Sequence, residues 1–108
     1  MSQALEKLYE VVLSRRAEPQ EGSYTCYLFE KGCDKILKKV GEECAETIIA
    51  AKNGNREELV GETSDLLYHL MVMLAERGVA LEDVMAELEH RAEKIGNLKT
   101  MRVTDHQT

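Results

Sequence analysis

Two short acidic stretches hold the residues best suited to chemistry: Gly41-Glu42-Glu43-Cys44-Ala45-Glu46 and Gly61-Glu62-Thr63-Ser64-Asp65. Glu43 and Glu46 stand three residues apart, as do Glu62 and Asp65, and His69 continues the second series one turn on. At about 100° per residue, an i, i+3 pair shares one flank of a helix and points at one locus. Each pair also borders a stripe of apolar residues. Between them lies Asn53-Gly54-Asn55, a helix stop and turn. Glu46 is seven residues before Asn53, and Glu62 is seven residues after Asn55. Two helices folded back on each other about that turn bring the pairs to matching heights, so that four carboxylates converge.

Such a set is costly when unpaired. Two like charges about 4 Å apart repel by about 4 kcal/mol at an effective dielectric near 20. Raised pKa values, lysine partners or a divalent cation would each relieve it. Hard oxygen ligands at this density suit Mg²⁺ or Mn²⁺. A metal would also let an acidic protein hold a polyphosphate. The plainer reading is a set of solvated helix glutamates, with Lys38/Glu42 and Lys39/Glu43 as ordinary i, i+4 pairs. The mirrored spacing favours the metal. A ferritin-like di-metal site needs two Glu-x-x-His motifs. Glu87-Leu88-Glu89-His90 is the one present, so His90 reads as a surface residue. His69 fits either a core histidine or a residue at the edge of the acidic site.

These residues need helices to position them, and four can be read. The first spans about Gln3 to Arg16, with Leu5, Leu8, Val11 and Val12 at helical spacing. Pro19 and Gly22 break the pattern, and SYTCYLFEKG then reads as an ordered loop or short extended piece. The second helix spans about Asp34 to Lys52, with Ile36, Leu37, Val40, Cys44, Thr47, Ile48 and Ala51 as its apolar stripe; Cys44 reads as core. The third spans about Arg56 to Arg77 and the fourth about Leu81 to Lys94. Short connections imply antiparallel packing and an all-α bundle. The run LLYHLMVML, residues 66–74, is apolar on most faces, more than one chain of this size can surround. A homodimer with this helix near the interface is expected. Residues 1–100 read as one domain and residues 101–108 as a flexible tail.

The 108 residues suffice for one hydrophobic core but not two. The net charge of −6 disfavours nucleic acid and anionic membranes as partners. Cys26, Cys33 and Cys44 form no C-x-x-C, which argues against a disulfide framework or thiolate zinc site and fits a cytoplasmic protein. The amino-terminal segment reads as an amphipathic helix rather than a leader, and no stretch is long and apolar enough to span a membrane.

The order Glu-Glu-x-x-Glu followed by Glu-x-x-Asp resembles the MazG-like all-α nucleoside-triphosphate pyrophosphohydrolases. The segments SYT-x-YLF, KG-x-DKILKK, GEE-x-x-E, IAAKN and DLLYHL are similar to one branch, the phosphoribosyl-ATP pyrophosphohydrolases of histidine biosynthesis. The likeness runs over roughly residues 5–95. It implies hydrolysis of phosphoribosyl-ATP to phosphoribosyl-AMP and pyrophosphate with Mg²⁺, by a cytoplasmic homodimer. Carried over by motif position, Glu43, Glu46, Glu62 and Asp65 are the implied metal ligands, and Glu42 the residue that orients or deprotonates the attacking water. Cys33, Cys44 and Thr63-Ser64 fill positions between the motif residues and remove no ligand. The activity is often fused to a phosphoribosyl-AMP cyclohydrolase, so a separate enzyme of that kind is an expected functional partner.

Phosphates that the metal does not reach need cations. Lys31, Lys35, Lys38 and Lys39 cluster around the start of the second helix, and Lys52 closes it. Ser23, Tyr24 and Thr25 are expected to meet the sugar phosphate or the base, or else to pack on a partner subunit. Asn53 reads as a helix cap that lies near the substrate. Two other functions are weighed against this one. A MazG-like hydrolase of deoxynucleotides lacks a reason for the KG-x-DKILKK and SYT segments. A non-catalytic helical adaptor has no reason to place paired acids at mirrored heights.

Overall fold

A computed structural model describes residues 3–96, with the backbone alone described at Gly96. Among these residues there are five helices and no strand: α1 (Gln3–Ala17), α2 (Tyr24–Lys31), α3 (Cys33–Asn53), α4 (Arg56–Glu76) and α5 (Leu81–Gly96). The expected second, third and fourth helices are α3, α4 and α5. The expected tail lies outside the described residues.

The extra helix corrects the sequence reading of SYTCYLFEKG. Ser23 caps α2, its Oγ accepting the Cys26 N–H at 3.2 Å. Thr25 and Leu28, one turn apart, are both buried, so the segment faces the core with helical rather than alternating period. Tyr, Thr and Phe favour strands only weakly, and here the cap and the packing outweigh that preference. Gly32, at φ 96°, ends α2 and starts α3 without a break that another residue would tolerate.

The α3–α4 hairpin is the frame of the molecule, and these two helices pack more extensively than any other pair. Gly54 takes the left-handed conformation at φ 71° and donates its N–H to the Ala51 carbonyl. Asn55 then caps α4, its Oδ1 accepting from the Glu58 N–H at 3.0 Å. The cap is therefore Asn55; Asn53 is the last residue of α3. Helices α1 and α2 pack over the hairpin. The core is built from Val12, Leu28, Ile36, Met71, Val72, Ala75 and Leu81. Arg16 reaches across to donate to the Ala75 carbonyl, and its guanidinium lies over the Phe29 ring.

Cys44 is exposed, contrary to expectation. The buried row of α3 is Ile36, Glu43 and Ala50, spaced by seven. Cys44 is turned about 100° from that row, with Leu37 and Ile48, which are 45% and 69% exposed. The apolar residues of α3 thus divide between two faces, one inward and one outward. On α4, His69, Met71, Val72 and Ala75 are buried within the single chain, which covers more of this helix than its composition suggests. The large apolar residues that these two helices leave exposed are Leu37, Ile48 and Ile49 on α3 and Val60 and Leu67 on α4.

The capping assignment is testable by urea unfolding. Asn55→Ala should lower stability by about 1 kcal/mol. Asn53→Ala should cost less than about half of that.

Candidate metal centre

Glu43 lies in the inward row of α3, and Glu62 and Asp65 lie one turn apart on α4. One oxygen from each comes within 4.8 Å of the others. Thr47 pins the two helices at this height. Its Oγ1 is 2.7 Å from the Glu43 carbonyl and 3.2 Å from the Glu62 carbonyl, and its single hydrogen is shared between them. The sequence signal for this role was slight, since Thr47 reads as one more member of a stripe. Glu46 is exposed and stands at the rim. Its charge acts on both Glu43 and Glu62. The structure thus brings together three of the four expected ligands, with the fourth close enough to be felt.

The electrostatics are those of a crowded anion cluster. Burial pushes the Glu43 carboxyl above the ordinary carboxylate range, with the charges of Glu46 and Asp65 adding to it. Burial and Glu46 likewise push Glu62 upward. Glu43 Oε1 and Glu62 Oε1 are shielded from solvent and receive no hydrogen bond from an N–H or a hydroxyl; the two carboxyls lie within hydrogen-bond reach of each other alone. Buried oxygens without such a donor are rare and costly. Oxygens around an octahedral Mg²⁺ at about 2.1 Å lie about 3 to 4 Å apart. A small side-chain movement brings Glu43, Glu62 and Asp65 to that spacing, so the residues present fit a hard divalent cation. Asp65 and Glu46, both exposed, leave the cluster open to solvent on one side.

The remaining candidates spread along α2 and α3. Lys39 sits between the acids: its Nζ is 3.4 Å from Glu42 Oε1 and 3.9 Å from Glu43 Oε2. Burial works to lower its pKa, but the neighbouring Tyr24, Glu42 and Glu43 together hold it above the ordinary value. Glu42 is exposed beside it. Lys31 lies over the Tyr27 ring, 5.7 Å from its centroid. Lys35 is half-buried and Lys38 exposed. Lys52 and Asn53 are nine and ten residues past Glu43, about 14 Å further along the axis, so they stand at the turn and away from the acids.

An aromatic cluster that sequence reasoning did not assemble adjoins the acids. Thr25 Oγ1 and the Tyr68 hydroxyl are 2.5 Å apart. The buried His69 has Nδ1 2.8 Å from the Asp65 carbonyl and Nε2 3.2 Å from the Tyr24 hydroxyl. His69 is therefore both a core residue and the residue behind the site. Thr25 is buried, and Tyr24 lies half-exposed above it.

The raised carboxyls fix the sign of a pH effect. Between the ordinary carboxylate range and the higher native values, the folded protein holds more protons than the unfolded one. Stability must then fall as pH rises through that window. Without divalent cations, the melting temperature should therefore be higher near pH 5.5 than near pH 8. Glu43→Gln should raise the metal-free melting temperature at pH 8, on the order of 5 °C, and flatten the pH dependence. The same variant should lose most of the Mg²⁺-induced rise in melting temperature seen in the parent protein.

Comparison with known proteins accords with this geometry. The family model described as phosphoribosyl-ATP pyrophosphohydrolase matches residues 5–92, which include both acidic pairs. A phosphoribosyl-ATP pyrophosphatase of Clostridium novyi is 53% identical over 98 residues, covering 91% of this chain and 89% of that protein. One from Pelotomaculum thermopropionicum is 61% identical over 90 residues, covering 83% of this chain and 92% of the relative. A histidine biosynthesis bifunctional protein of Caldanaerobacter subterraneus is 59% identical over 90 residues, where the match takes up 44% of the longer chain. With a family match over most of its length and relatives this similar, the chain belongs to the phosphoribosyl-ATP pyrophosphohydrolase family.

Proposed function

We propose that this chain hydrolyses phosphoribosyl-ATP to phosphoribosyl-AMP and pyrophosphate, the second step of L-histidine biosynthesis, with Mg²⁺ held at the acidic cluster. The observation that carries the metal reading is the pair of buried oxygens on Glu43 and Glu62 that no N–H or hydroxyl meets, in a chain of this family. Glu43, Glu62 and Asp65 hold the ion, and Glu46 joins them by a change of rotamer at the rim. Mn²⁺ is an acceptable substitute on the same donor set. When bound, the ion neutralises charge on the phosphate oxygens.

The chain's own residues supply the rest. Water adds at phosphorus, the α–β anhydride bond breaks, and pyrophosphate leaves with the bonding electrons. Glu42 orients that water and takes its proton; it is exposed at the rim and its carboxylate is held by Lys39. Lys39 turns from the carboxylates to a phosphate when substrate enters. Lys35 and Lys38, both before Lys39 along α3, and Lys31 on α2 serve the outer phosphates. Lys52 and Asn53 meet the far end of an extended substrate or a region completed by a second subunit.

A homodimer is part of the reading. Leu37, Ile48, Val60 and Leu67 expose an apolar surface on the outer face of the hairpin, which a second copy would cover. The protein works in the cytoplasm; among the described residues no helix is long and apolar enough to cross a membrane. Its product passes to a phosphoribosyl-AMP cyclohydrolase. The bifunctional histidine biosynthesis relative supports that link.

The deciding assay is pyrophosphate release from phosphoribosyl-ATP with and without Mg²⁺, beside dUTP and dCTP. Mg²⁺-dependent release from phosphoribosyl-ATP alone is expected. Release only from the deoxynucleotides would move the protein to the house-cleaning branch of the superfamily. Glu42→Gln should lower kcat at least about 100-fold while leaving the Mg²⁺-induced thermal shift intact. Ile48→Glu should shift the sedimentation of the protein from dimer to monomer.

A further inference from the structure

We propose that Tyr24 is a specificity-determining residue that reads a hydroxyl of the ribose carrying the triphosphate. The inference rests on the hydrolase reading above and adds a substrate feature that the acids and lysines do not recognise.

The Asp65 carbonyl can only accept, so His69 Nδ1, 2.8 Å away, carries a hydrogen. With the hydrogen on Nδ1, Nε2 is left as the acceptor. The Tyr24 hydroxyl, 3.2 Å from Nε2, donates its hydrogen inward. What the phenol oxygen presents outward is lone pairs alone. Such an atom repels a phosphate oxygen and suits a hydrogen-bond donor, which on a nucleotide sugar is a hydroxyl.

The position agrees with the chemistry. Tyr24 is near enough to Lys39 to act on its charge, Lys39 pairs with Glu42 and Glu43, and His69, to which Tyr24 is joined, bonds the backbone of Asp65, so the phenol belongs to the neighbourhood of the acids. The ribose bonded to the α-phosphate is the sugar nearest the cleaved bond. The second phosphoribosyl group lies across the purine from it. Tyr24 also lines a shallow groove of about 590 Å³ formed by α2 and the segment before it, with Ser23, Cys26, Tyr27 and Glu30.

The phenol is held in place. The Tyr24 ring stands 6.0 Å from Tyr27 at 22° and 6.2 Å from Tyr68 at 31°, with the His69 edge against it at 5.8 Å. Tyr68 is itself fixed by Thr25. A side chain with 45% of its surface exposed is thus anchored through its hydroxyl and flanked on several sides. That is the preorganisation needed to discriminate by a single hydrogen bond.

The test compares phosphoribosyl-ATP with its 2′-deoxy and 3′-deoxy forms on the adenosine sugar. For the parent protein, kcat/KM should drop about tenfold for one of the two deoxy substrates. Tyr24→Phe should lose about tenfold on phosphoribosyl-ATP, chiefly through KM, and lose little on that deoxy substrate, so the preference flattens. Tyr24→Phe keeps the ring, and its melting temperature reports whether the fold is intact. A parent protein indifferent to both deoxy changes, or a variant that keeps the full preference, would overturn the assignment while the hydrolase reading stood. No pyrophosphate release from phosphoribosyl-ATP by the parent protein would end both.

Discussion

Repulsion among clustered carboxylates, one of them buried, is the constraint around which this fold is arranged. Glu43, Glu62 and Asp65 would part if their helices were free to turn. They are kept together by the α3–α4 hairpin, whose phase is set at one end by Gly54 and Asn55 and along its length by the hydroxyl of Thr47. The hydrophobic core then seals one side of the hairpin with α1 and α2. The favourable burial of Ile36, Met71 and Val72 in the same layer offsets the cost of holding the acids beside it. The cluster is therefore a place where packing energy is held as electrostatic tension, ready to be relieved by a cation.

The second layer of the site is aromatic. His69 ties the backbone of α4 at Asp65 to the phenol of Tyr24 on α2. Helix α2 is short and is anchored by Thr25 and Leu28 alone among its buried residues. Its register relative to the acids depends on these polar links as much as on apolar contact. A single imidazole thus connects the element that carries the acids to the element that faces the groove.

Much of the frame was legible in the sequence because it is local. The Asn53-Gly54-Asn55 stop, the i, i+3 acids and the equal seven-residue offsets are all read within one hairpin. The parts that were not legible depend on contacts between distant residues. Apart from the Ser23 cap, nothing local in SYTCYLF distinguishes a helix from an extended piece, and its direction is set by burial of Thr25 against Tyr68, 43 residues away. The phase of α3 was misjudged at Cys44 because Leu37, Cys44 and Ile48 form a second apolar face, and periodicity alone does not say which of two stripes turns inward. Glu43, an acid, occupies the centre of the buried row, where hydrophobicity gives no reason to look. The aromatic cluster joins Tyr24 to Tyr68 and His69 over similar separations and left no mark on local pattern.

The hydroxyl of Thr47 also sets limits on how this chain can be remodelled. One residue added between Asn53 and Asn55 would part the Gly54 stop from the Asn55 cap, and the heights of Glu43, Glu62 and the Thr47 hydroxyl would match again only with a rebuilt turn. The connection between α4 and α5 has no such tie to the acids. It lies twelve residues beyond Asp65, about 18 Å along the helix, so a longer loop there would bear on Tyr9, whose hydroxyl donates to the Val79 carbonyl, and on the core residue Leu81, but not on the acids. Grafted domains, tags and reporter groups belong at that end of the hairpin, and the Asn-Gly turn is the one junction to be left at its present length.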